Sequence, residues 1–149
     1  MEDLHEKIGN VLKGLEGTLG IYISLNKTEK SINASFTKKG IDVKKVFFID
    51  CVAKEKSKED VLYTSPSNLN EIIFSIKTFL DNIEGEKFII IDALSTLLIY
   101  NNENNVATFV NDLLKHSSPS TEILAFSPET KGEELLKKIF NFFDKVEKY

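Results

Sequence analysis

Asp92 closes the run Phe88–Asp92, four apolar residues and one acid, and Ser95 follows three places on. Such a run, apolar on both faces and rich in isoleucine, has the pattern of a strand buried in a parallel sheet. An acid at its carboxyl end sits where open α/β sheets bind ligands, and a carboxylate so placed can hold Mg²⁺ beside a nucleotide's phosphates. Ser24, Asn26, Asp50 and Ser127 end, or directly follow, other apolar runs. With Asp92 and Ser95 they predict a polar crevice along one sheet edge. It is not a catalytic set, because no histidine, paired carboxylate or activated nucleophile joins it. Asp92 is the sole, weak metal candidate, since His5 and His116 have no partner at metal-ligand spacing. Asp92 has two uses: a metal or ligand contact, or a cap accepting from the N–H groups near Ser95 and Thr96. The residue types favour the cap.

The elements that must position these residues alternate along the chain. Leu4, Ile8, Val11, Leu12 and Leu15 recur at helical spacing, predicting a helix from about Asp3 to Gly14. A strand follows at 20–25. Thr28 then caps a helix carrying Ile32 and Phe36 and stopped by Gly40. A second strand spans 45–50, and Val61–Tyr63 adds a short extended piece. Asn68 and Glu71 form a capping box before the stripe Leu69, Ile72, Ile73, Ile76, Leu80 and Ile83, which Gly85 ends. The strand at 87–92, a helix from about Asn104 to His116 and a strand at 121–126 come next. Thr130 and Glu133 open a last helix, and the closing DKVEKY reads as an edge strand. Strands alternating with helices imply βαβ units. The fold expected is one α/β domain over residues 1–149, three-layered and doubly wound, with a mainly parallel sheet of about five strands.

Composition narrows the function. No apolar run approaches the roughly 18 residues of a membrane span, and the charged N-terminus lacks a signal peptide's apolar core. Cys51 stands alone, which points to a reducing cytoplasm and a small core residue. All 19 basic residues are lysines. The chain therefore has no planar guanidinium fork for phosphate and no arginine finger of its own. From Lys27 to Lys58, nine lysines face four acids, on a chain of net charge −4. Without arginine or an aromatic platform this stretch reads as a solvated sheet edge, where lysines discourage strand addition. Specific nucleic-acid binding is not expected.

The segments GIYISLNKTEKSI, GIDVKKVFFIDC, SPSNLNEI and FIIIDALSTLLIY stand in the running order of RecA-superfamily domains of the circadian-clock KaiC type. The chain is similar to a group of KaiC-like proteins found in archaea, over roughly Leu12 to Phe126. The resemblance makes Asp92 the remnant of a Walker B acid. It also implies a phosphate loop, G-x-x-x-x-G-K-[ST], whose backbone N–H groups and lysine hold the phosphates. No Gly-Lys pair occurs in this chain, which starts just after the place of that loop and its strand. The family's glutamate pair, one of which acts on the attacking water, is replaced by Asn26 and Lys27, neither of them a base.

These losses predict a pseudo-ATPase: a non-catalytic module working through a protein partner or homo-oligomer, without cofactor. The alternative is a nucleotide-binding protein that takes ATP and Mg²⁺ in the remnant crevice or is completed by another subunit. In such cores the phosphate-loop strand lies beside the strand matching Thr121–Phe126. Its loss would bare that edge. The closing DKVEKY can fill the gap, giving strand order 2-1-3-4-5, or a second molecule can cover it.

Overall fold

Period-two alternation along the strands divides the core into two halves. In β1 (Leu19–Ser24), Ile21 and Ile23 join one apolar cluster and Tyr22 the other. In β4 (Lys87–Asp92), Ile89 and Ile91 share the first cluster, and Phe88 and Ile90 the second. Both faces of the sheet are thus buried, as a parallel sheet requires. The computed structural model describes residues 4–57, 60–92, 94–116, 120–127 and 145–148.

One face is covered by α1 (Leu4–Gly14), through Ile8 and Leu12, and by α2 (Glu29–Lys38), through Ile32 and Phe36. The other is covered by α3 (Leu69–Asn82), α4 (Leu94–Tyr100) and α5 (Glu103–His116), through residues such as Ile76, Leu97 and Phe109. The result is a three-layer α/β arrangement. Its sheet has the order β3-β2-β1-β4-β5-β6, with β2 (Val46–Asp50), β3 (Val61–Tyr63), β5 (Thr121–Ser127) and β6 (Lys145–Lys148). Every neighbouring pair is parallel.

Local chemistry sets the boundaries. Thr28 Oγ1 accepts from Ser31 N–H at the start of α2, and Asn68 Oδ1 accepts from Glu71 N–H at the start of α3. Gly40 and Gly85 have φ of 75° and 87°, left-handed values that end segments cheaply only in glycine. Gly20 answers a different need. A Cβ there would lie 2.2 Å from the Phe88 ring, so the ring fills the space a side chain would take.

The extended piece expected at Val61–Tyr63 is a strand with those bounds, a sixth in the sheet, paired with Phe48–Asp50, and its Tyr63 N–H is taken by Ser57 Oγ from the lysine-rich loop. The structure departs from the sequence expectation in one element. Leu94–Tyr100 is a helix (α4) that the apolar run concealed, because seven residues are too few to show a helical period. At the far edge β6 runs beside β5, with Leu124 opposite Lys145 and Ser127 opposite Lys148. The capping box at Thr130 and Glu133, with its helix, lies outside the described residues. No described helix is long and apolar enough to cross a membrane.

Candidate functional site

Strand register brings the polar strand ends together. Ser24 pairs with Asp50 on one side and Asp92 on the other, and Asp50 pairs with Tyr63. Tyr63, Asp50, Ser24 and Asp92 therefore form one row across four strands, at the carboxyl end of the sheet. The row crosses the switch point, where β1 leads to β2 on one side while β4 lies on the other. In open α/β sheets this is the ligand-binding position.

Ser24, Asp50 and Asp92 each have an internal task. Ser24 and Asp50 are fully buried, and Asp92 is 4% exposed. Ser24 Oγ donates to the Lys27 carbonyl at 2.8 Å and braces the turn between β1 and α2. Asp50 accepts three backbone N–H groups: Glu29 at 2.8 Å on Oδ2, and Val52 at 2.8 Å and Ala53 at 3.0 Å on Oδ1. The first of these belongs to α2, so the Asp50 carboxylate sits on that helix's N-terminus. The other two fold the chain over after β2.

Asp92 is held by side chains. Tyr22 Oη donates to its Oδ2 at 2.9 Å, and Asn26 Nδ2 approaches Oδ1 at 3.4 Å. Thr96 Oγ1 donates to Asn26 Oδ1 at 3.0 Å, which fixes the amide's orientation and ties α4 to the turn after β1. Burial pushes the Asp92 pKa above the ordinary carboxylate range, against the lowering effect of Tyr22, Asn26 and the Lys27 charge. Its described bonds come from Tyr22 and Asn26, not from the N–H groups of Ser95 and Thr96. Asp50, at the end of β2, is the acid of this row that accepts from the first N–H of a described helix.

Ser95 is half-buried at the start of α4, and Ser127 ends β5 one place beyond the row's pairing of Asp92 with Phe126. No group of three or more histidine, cysteine or acidic side chains that could hold a metal occurs among the described residues. His116 Nε2 lies 2.8 Å from Asp81 Oδ1, linking the ends of α5 and α3 far from this row. Sequence reasoning passed over Tyr22 and the side chain of Thr96. Tyr22 carried a signal: a tyrosine two places before Ser24 shares its strand face, and a buried phenol needs a partner for its hydroxyl.

The model of a family of unknown function, DUF7090, matches residues 16–149. The chain belongs to that family. The match takes in the whole polar row and leaves out residues 1–15, which include α1. No curated protein matches this DUF7090 member. Among solved structures it is similar to uncharacterized protein PH0321 from Pyrococcus horikoshii, crystallised in complex with an unknown peptide. That likeness has a TM-score of 0.66 at 15% identity, and covers 97% of this chain and 69% of the other. At such identity the likeness is one of fold.

Proposed function

We propose that this DUF7090 member is a non-catalytic, degenerate RecA/KaiC-like module that acts through protein contacts, in a regulatory or assembly role. The observation that carries the reading is the carboxylate on α2. In nucleotide-binding α/β proteins, the first N–H groups of the helix at the switch point receive phosphate. Here the Glu29 N–H is spent on Asp50 and the Ser31 N–H on Thr28. Glu29 itself, 6% exposed, adds a second acid to the same turn. A phosphate arriving there would meet two carboxylates and no arginine.

Three further features support the reading. Asp92 has its oxygens turned to Tyr22 and Asn26, so a magnesium ion would have to compete with both. The chain has no Gly-Lys pair to build a phosphate loop. In this reading β6, beside β5, fills the place of the phosphate-loop strand of RecA-like cores. The Pyrococcus horikoshii neighbour holds a peptide, and a peptide is the partner class proposed for this chain too. A reducing compartment, the cytoplasm, suits Cys51, a buried thiol pushed up to about 12 by burial and by Asp50 and Glu71.

The test is phosphate release from ATP and GTP with Mg²⁺. No turnover is expected. Turnover that disappears in Asp92→Ala would overturn the proposal.

A further inference from the structure

Away from the polar row, the first turn of α3 and the face of α5 beside it enclose a cavity of about 210 Å³. Its floor includes the buried Ile73 and Phe109, and its walls are unusually rich in amides, with Asn70, Asn101 and Asn105 among them. Asn101 is pre-set: its Nδ2 donates to the carbonyls of Pro66 and Leu97, at 2.9 and 3.0 Å, leaving Oδ1 as an acceptor. The side chains of Asn70 and Asn105 are exposed and make no hydrogen bond to another described residue. Of the ten lining residues Asp112 alone is charged.

Large apolar side chains stand exposed at positions that adjoin lining residues along the chain. Phe74, 69% exposed, is one turn along α3 from Asn70 and on the same face of that helix. Ile99 and Tyr100, 77% and 55% exposed, directly precede Asn101. Isolated exposed apolar residues mean little, but aromatics grouped with a recess are the anchors of interfaces.

Resting on the protein-contact reading above, we infer that this groove docks an extended peptide segment of a partner, bearing apolar side chains and a lysine or arginine. A side-chain amide carries the same donor and acceptor as a peptide unit, so a row of asparagines can pair with a main chain irrespective of its sequence. The apolar anchors and Asp112 then set the preference: apolar residues for Phe74 and Tyr100, a cation for Asp112. The cavity is smaller than the roughly 300–1,000 Å³ of small-molecule pockets, so it takes a side chain of a segment lying across it. An acidic, arginine-free lining does not suit nucleic acid.

The test selects decapeptides from a random phage-displayed library on the full chain, then titrates a selected, dye-labelled peptide by fluorescence anisotropy. Enriched sequences are expected to share apolar residues and a lysine or arginine. Phe74→Ser and Tyr100→Ser, both at exposed positions, should each weaken binding tenfold or more while thermal melting stays unchanged. Asp112→Lys should weaken the cationic peptide tenfold and favour its lysine-to-glutamate counterpart. Thr37→Lys, in the separate cavity beside α2 and β2, should change nothing. No enrichment, or Kd values moved by Thr37→Lys and not by the groove variants, overturns the inference. In the second case peptides still bind, and the protein-contact reading survives without this groove. A dimer lost in Phe74→Ser, with no peptide selected, assigns the face to a second copy and also overturns it.

Discussion

Replacing Tyr22 by phenylalanine removes one oxygen from the most enclosed part of the polar row. The ring stays, packed 5.4 Å from Phe48 between centroids, so little apolar burial is lost. What goes is the 2.9 Å hydrogen bond to Asp92 Oδ2, between a fully buried donor and a carboxylate 4% exposed. A hydrogen bond to a charged group is worth about 1.5–3 kcal/mol, and an orphaned charged partner costs at least as much. In a chain of 149 residues, where 1 kcal/mol moves Tm by about 2–4 °C, the loss should lower Tm by roughly 5–10 °C. The penalty has a pH signature. Burial already raises the Asp92 pKa and Tyr22 lowers it, so Tyr22→Phe raises it further. A group whose folded pKa exceeds its unfolded value loses stability as pH rises from the ordinary carboxylate range through the folded pKa. The Tyr22→Phe deficit should therefore be full at pH 7 and shrink in acid, as Asp92 takes up a proton. In an Asp92→Asn background, which holds no charge, the deficit should be smaller and independent of pH. Urea melts of the four proteins at pH 7 and in mild acid give the coupling directly. A deficit equal at both pH values, or undiminished by Asp92→Asn, would refute the claim that Tyr22 serves the Asp92 charge.

Gly20→Ala should destabilise by about 1–3 kcal/mol through overpacking, because its Cβ would meet the Phe88 ring at 2.2 Å; thermal melts check this, and an unchanged Tm contradicts it. Asp50→Ala should cost about 3 kcal/mol or more, since three N–H groups lose their acceptor. Asp50→Asn should cost less, and equal losses would speak against the capping role. Sequence-specific binding to DNA should be absent in gel shifts at about 150 mM salt, given the net charge of −4 and the absence of arginine; tight selective binding would contradict the charge argument.

How far the sequence carries is clear from individual residues. Thr28, Asn68, Gly40 and Gly85 act locally, and local chemistry was enough to place the starts of α2 and α3 and the turns that end segments. The isoleucine-rich strands announced a sheet buried on both faces because burial on both sides leaves no polar alternation. The pairing of Tyr22 with Asp92 was not legible, since the two are 70 residues apart and meet only through the β1–β4 register. The bond from Glu29 N–H to Asp50 was not legible either, since it spans 21 residues and depends on the placement of α2 against the end of β2. The helix α4 was obscured for another reason: an element of seven residues is too short to establish a period.

Whether the polar row is closed to nucleotide is tested directly by a thermal-shift titration of the full chain with ATP and Mg²⁺. Ligand at 100 times its Kd would add about 2.7 kcal/mol of stability, which in a chain of this size raises Tm by roughly 5–10 °C. With Asp50 on the α2 N-terminus and Asp92 bound to Tyr22 and Asn26, no rise is expected up to millimolar ATP. A saturable rise that Asp92→Asn removes would show that the row opens to nucleotide, and would contradict its closure.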